Sequence, residues 1–423
     1  MKTRMSVILS LAAALLPGIA FADIKVLQTK EAELNIGGMT QVLGFGQQVN
    51  DPFTDHNRLY LFMKEARFRT NGKYQDYSFN LEFALGGEES VAAQTGVSLS
   101  LLDLSVNIPI GFRGSYLKVG QFKVPYGRER LTYSGSSQFL ERSVQDLGFR
   151  VGRDVGVAFT IHPYGRFSII GGVFTGGGRD VPPNHYLPER LGIPMLVARA
   201  GWGDVDDDLY VLHNDLEVSA PRFAFFINAL YTKDSSVGHS SVLNVKLADK
   251  SILLNSGWNP YIGKVSTLGQ WWQAGADAAM RVPAGAVNVS AEVEINWAGY
   301  SNDIGVAHVA GGRAQVGVSY KPFELAVRYS ALFFDPHMGL NGAIGKDPVQ
   351  EITPSATWYL SGQRLKLVGD LPILIRTPIF TEKGVGSYVG TELPDQASIL
   401  SKAANSTARQ SIVEARLMMQ ASF

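Results

Sequence analysis

Residues 123–150 read KVPYGRERLTYSGSSQFLERSVQDLGFR and gather charge into one short segment. Arg128, Arg130, Arg142 and Arg150 carry planar guanidinium forks that suit carboxylate or phosphate oxygens. Lys123 adds a point charge at the start, and Glu129 and Glu141 stand beside the arginines. Two uses of such a segment are open. Arginines facing a narrow aqueous passage can hand an anion along without trapping it. Alternatively, Arg128, Glu129, Arg130 and Glu141 can form ion pairs that pin the segment to a neighbouring wall.

Other chemistry finds little support. The sequence has no cysteine, so disulfides and thiolate chemistry are absent. It has no G-x-S-x-G, no H-E-x-x-H and no phosphate-binding glycine loop followed by lysine. The histidines are scattered, with no metal-ligand spacing. DVDDD (204–208) offers oxygen ligands for a divalent ion, but an acidic solvated turn explains it as well. The expectation is therefore a protein that is not an enzyme, with no cofactor and no catalytic or metal site.

The elements that must position the charged segment are strands. YLKVGQF (116–122) leads into it, and Pro125, which cannot donate to a sheet ladder, stops that strand. Period-two alternation recurs along the chain. In VNVSAEVEINW (287–297) the valines, Ala291, Ile295 and Trp297 face one way, while Asn288, Ser290, Glu292, Glu294 and Asn296 face the other. YSFNLEFAL (77–85) repeats the pattern, with Glu82 on its polar face. Short turn signals such as Asn71-Gly72, Pro163-Tyr164-Gly165 and Lys321-Pro322 alternate with long Gly/Pro/Asn-rich stretches. Short turns at one end and long loops at the other suit a membrane barrel. In lipid every backbone N–H and C=O must be paired, so a sheet has to close on itself. Its apolar wall then faces hydrocarbon, and its polar wall, with Arg67, Arg69, Glu82, Glu292 and Glu294, lines a lumen. Tyr77, Tyr116, Trp297, Tyr320, Tyr329 and Trp358 suit the aromatic girdles at the lipid interfaces.

The first 22 residues, MKTRMSVILSLAAALLPGIAFA, read as a secretory signal with an A-x-A cleavage site. Cleavage leaves 36 basic and 38 acidic residues, so no basic excess points to nucleic acid. The reading is an all-β, transmembrane antiparallel barrel of 16 strands, with 18 the alternative count. Residues 1–22 form the signal, 23–33 a short periplasmic lead-in, 34–423 one barrel domain and 125–153 a candidate constriction loop. The last strand, RQSIVEARLMMQASF, places Val413, Ala415, Leu417, Met419, Ala421 and Phe423 on one face, as outer-membrane barrels commonly do. The expected place is the outer membrane of a Gram-negative bacterium.

VGQFKVPYGRERLTYSGSSQFLERS, followed by VGRDVGVAFT (151–160), resembles the phosphate-selective porin family, the outer-membrane porins O and P. EARFRTNGKYQDYSFNLEFAL (65–85) and RAQVGVSYKPFELAVRYSALFFD (313–335) also look like that family. The resemblance implies a 16-stranded barrel, a homotrimer, and a third outer loop that folds into the lumen as the constriction. It implies that Arg67 and Arg69 sit on the lumen wall and that Lys123 precedes the constriction. It places Arg128 and Arg130 within that loop, and Arg142 and Arg150 farther along it. Selective members carry a dense lysine cluster; between Pro125 and Arg153 this chain has no lysine, and glutamates accompany its arginines. The function expected is passive diffusion of small hydrophilic solutes or ions, with anion preference the finer possibility. A barrel that mainly anchors or assembles other envelope proteins is the alternative. Expected contacts are solutes, outer-membrane lipid and further copies of the chain.

Overall fold

A computed structural model describes residues 24–50, 55–87, 99–149, 151–176, 186–187, 190–191, 193–203, 220–233, 270–301, 306–334, 348–378 and 409–423. The strands are Ile24–Gln28 (β1), Ala32–Asn50 (β2), Asp55–Tyr74 (β3), Tyr77–Gly87 (β4), Ser100–Pro109 (β5) and Tyr116–Lys123 (β6). Arg153–Tyr164 (β7), Phe167–Phe174 (β8), Tyr186–Leu187 (β9), Arg190–Leu191 (β10), Ile193–Trp202 (β11) and Arg222–Lys233 (β12) follow. Then come Gln270–Ala284 (β13), Val287–Ser301 (β14), Val306–Tyr320 (β15) and Phe323–Phe334 (β16). Val349–Ser361 (β17), Leu365–Asp370 (β18), Ile373–Pro378 (β19) and Arg409–Ser422 (β20) complete the order.

Each barrel strand pairs antiparallel with its sequence neighbours, and β20 returns to β2, from Met39↔Ser422 to Gln48↔Val413. Phe423 extends that seam by exchanging backbone hydrogen bonds with Gly38, at 2.9 and 3.0 Å. The closed antiparallel barrel has 16 strands. Three details reconcile that count with the larger number of segments. β18 and β19 are halves of one strand, both flanked by β17 and β20, and Pro372, which lacks an N–H, stands between them. The β9–β10 hairpin lies apart from the main sheet. β1 is also additional. It pairs with β2 from Ile24↔Ile36 to Gln28↔Glu33, so residues 24–28 form a short strand against the edge of β2.

The alternation sorts side chains between lipid and lumen. On β14, Val293, Ile295 and Trp297 are exposed on the outside while Glu292, Glu294 and Asn296 are buried inside. Tyr74, Tyr77, Tyr164, Tyr320, Phe323 and Trp358 are exposed near the short turns. At the opposite end Trp272 and Trp297 meet edge to face with ring centres 5.5 Å apart. These are two interfacial belts around an apolar band.

One irregularity shapes the interior. On β3 the register with β2 jumps from Gln41↔Glu65 to Val42↔Met63, so Lys64 is the extra residue of a bulge. Lys64 and Glu65 are consequently both buried.

Candidate functional site

The chain leaves the sheet after Lys123 and rejoins it at Arg153, as the third connection at the end opposite the short turns. The base of this excursion is tied by Val124 N–H to Gly152 O, 3.1 Å. Gly127 then turns the backbone inward at φ +72°, where a Cβ would stand 3.0 Å from Glu294 Oε1. Two short helices follow, Arg128–Leu131 (α1) and Val144–Phe149 (α2). The segment lies inside the barrel, and its polar groups bond to strands across the lumen.

The first group of contacts secures α1 to β14, β15 and β16. Arg128 is fully buried, with its Nε 2.8 Å from Glu292. Glu129 accepts from Ser143 N–H at 2.8 Å and Ser143 Oγ at 2.5 Å, and it pairs with Arg328 at 3.1 Å and Arg313 at 3.3 Å. Arg313 also reaches Glu292 at 2.9 Å and Glu294 at 3.2 Å, and Arg328 reaches Glu351 at 2.7 Å. The N–H groups of Glu129 and Val144 donate to Glu294 and Glu351, 3.0 Å each. Tyr126 donates to Asn296 Oδ1 at 2.9 Å. Burial, with Glu294 nearby, pushes the Tyr126 hydroxyl well above its ordinary pKa.

A second group holds residues 134–141. Glu141 pairs with Lys64, 2.5 Å, and Lys64 also donates to Leu140 O. Leu140 N–H donates to Asp370, 3.0 Å, which Arg416 grips with Nε at 2.6 Å. Gln138 bonds Glu324, Ser290 and Gln315 at 2.6, 2.9 and 3.0 Å. Gln420 donates to Gly135 O, 3.0 Å.

A third group lies where the excursion meets β3–β7. Arg67 bridges Glu65 at 3.0 Å and Glu82 at 3.2 Å; Arg153 reaches Glu82 at 3.3 Å and Asp103 at 3.1 Å. Tyr133 stacks against both Arg67 and Arg69, with guanidinium carbons 5.5 and 5.4 Å from the ring centre. Burial pushes the Tyr133 hydroxyl up to about 12, against the opposing pull of Arg67. Lys123 Nζ donates to Leu131 O and Thr132 O at 3.1 and 3.2 Å. Arg142 donates to that same Thr132 O, 3.3 Å, and to Glu129 O. Arg130 stands 3.8 Å from Asp146.

The residues singled out in the sequence therefore fall into distinct settings. Arg128, Glu129 and Glu141 are in ion pairs with the wall; Arg67 and Arg69 flank Tyr133; Lys123 and Arg142 converge on one carbonyl. Arg150 and the DVDDD run lie outside the described residues. Strand parity alone places Arg313, Arg328 and Arg416 on the polar face, but their role as anchors of the excursion needs the three-dimensional fold. Lys64 faces inward because of the bulge.

Residues 39–186 match the family model described as "Phosphate-selective porin O and P". Among solved structures, the chain is similar to an anion-selective porin from Comamonas acidovorans, with TM-score 0.57 and 12% identity, covering 93% of this chain and 100% of that one. It is also similar to the outer-membrane channel DcaP of Acinetobacter baumannii, with TM-score 0.55 and 12% identity, covering 94% of this chain and 99% of that one. OprB of Pseudomonas putida gives TM-score 0.51 and 11% identity, covering 93% and 94%. No curated protein matches the chain significantly. The chain folds as a porin-like β-barrel, and its residues 39–186 match the model of the phosphate-selective porins O and P.

Proposed function

We propose that the chain is a porin through which small hydrophilic solutes and ions diffuse passively, and that the segment from Val124 to Gly152 sets the width of the passage. The observation that carries this reading is a polar segment bonded across the polar interior of a closed barrel. The finer proposal concerns charge. Lys123 and Arg142 are partly exposed, and among the described residues neither forms an ion pair; both donate to backbone carbonyls instead. A narrow passage with low-dielectric walls magnifies the field of such cations. Arg128, by contrast, is compensated by Glu292. The proposal therefore assigns a modest anion preference to Lys123 and Arg142. Assembly as a homotrimer remains part of the same proposal.

Single-channel recording in planar bilayers tests this. Stepwise current in KCl and an anion-favouring reversal potential in a salt gradient are expected. Lys123→Ala with Arg142→Ala should move that potential toward zero, whereas Arg128→Ala should not. An unchanged potential in the double variant overturns the charge assignment. A complete lack of current from folded protein overturns the pore. The dense pairing of the inward segment with the wall favours a second reading, a sealed barrel with a mainly structural role, which that last outcome would support.

A further inference from the structure

The wall formed by β11, β12 and β13 carries polar groups that the three networks leave unsatisfied. Arg199, Asn228, Gln273 and Asp277 all face the lumen and are at least nine-tenths buried. The register places them together. Arg199 pairs directly with Asn228, Asn228 pairs with Gly275, and Gln273 and Asp277 lie on either side of Gly275 along β13. Arg199 Nη2 holds Asp277 at 2.7 Å, and its guanidinium lies 4.6 Å from the Phe226 ring centre. Among the described residues, Arg199 Nε and Nη1 find no hydrogen-bond partner, nor does either amide atom of Asn228 or of Gln273. Buried amides without partners are uncommon, because desolvation is then uncompensated.

The surroundings shape these groups into one patch. Gly275 leaves the wall without a side chain, and Asn296 leans over the gap; a Cβ there would stand 2.0 Å from Asn296 Oδ1. Asn296 is in turn held by Tyr126 of the inward segment, 2.9 Å. The patch therefore lies beside the point where the chain turns into the lumen.

Its chemistry selects among solutes. The charge of Arg199 is already balanced by Asp277, so the patch has no net charge to attract an ion. Each amide offers both donors and an acceptor, and Nε and Nη1 of Arg199 add three N–H donors. An inorganic anion would use the donors but leave the amide oxygens and Asp277 facing like charge. A cation would find no partner for the donors. Neighbouring hydroxyl groups, each both donor and acceptor, match the full set. We infer that this patch is a binding subsite for a neutral, polyhydroxylated small solute. The inference rests on the pore reading above and adds to it a solute class other than the ion.

The test measures radiolabelled glucose flux into proteoliposomes alongside KCl conductance of the same protein in bilayers. Wild-type flux should saturate with glucose concentration. Asn228→Ala with Gln273→Ala should raise the half-saturating concentration roughly fivefold or abolish saturation, with KCl conductance changed less than about twofold. The near-isosteric Gln273→Glu should also abolish saturation, which covers the case in which the double variant fails to fold. Glucose flux that is linear with concentration and equal in wild type and variants overturns the subsite and leaves ordered water as its occupant. Saturation by phosphate or gluconate but not by glucose overturns the neutral-solute assignment. Lack of KCl current in the folded wild type overturns the pore reading itself, and the subsite with it.

Discussion

Glu129 shows how one side chain can hold a whole segment. It binds the backbone and hydroxyl of Ser143 within the excursion and two arginines, Arg313 and Arg328, on the wall. Removing one partner from a buried ion pair leaves uncompensated charge, with a typical cost of about 3–5 kcal/mol. Glu129→Ala should destabilise the barrel on that scale in urea unfolding followed by tryptophan fluorescence, and channel noise should rise as the segment loosens. Arg128→Ala should cost less, because Glu292 keeps Arg313 as a partner at 2.9 Å. Equal losses for the two variants would contradict this division of labour. Sequence alone revealed Glu129 as charged and near arginines, but ion pair and pore lining looked the same at that level. The choice depends on residues such as Arg313 and Glu292, more than 160 positions away in the chain.

At the scale of elements, the excursion begins at a glycine rather than at the proline before it. Pro125 ends the ladder, but Gly127 adopts the left-handed conformation that aims α1 at β14. Gly127→Ala should cost about 1–2 kcal/mol for the backbone alone, together with the close approach to Glu294. Its readout is a lower urea midpoint with altered single-channel conductance; an unchanged protein would mean the turn can be made otherwise. Strands with bulky outward residues, such as β14 and β16, were legible from alternation. β11 and β13 were not. Their outward positions include Ala198, Ala200, Ala274, Ala276 and Ala278, and alanine contrasts weakly with the polar face. That weak contrast hid Arg199 and Asp277, and with them the unsatisfied patch. The Lys64 bulge was equally hidden, since a one-residue insertion appears only once the partner strand is known.

For the molecule as a whole, closure depends on a seam between strands far apart in sequence. At that seam the Phe423 ring occupies the space a side chain would take at Gly38, where a Cβ would stand 2.6 Å from the ring. Gly38→Val should displace the ring and destabilise the barrel by about 1–3 kcal/mol through overpacking. A heat-dependent mobility shift on gels reads this directly, and an unshifted transition would show that the seam tolerates the bulk. Along the same edge of β2, β1 already holds Ile36 through Ile24, and Phe423 bonds Gly38, with only Gly37 between them. Sliding β20 by two residues toward β1 would bring Phe423 onto a backbone that Ile24 already occupies. A two-residue slide in that direction would therefore require β1 to leave β2, so the contacts of a five-residue strand oppose that one error of stagger around the barrel's circumference.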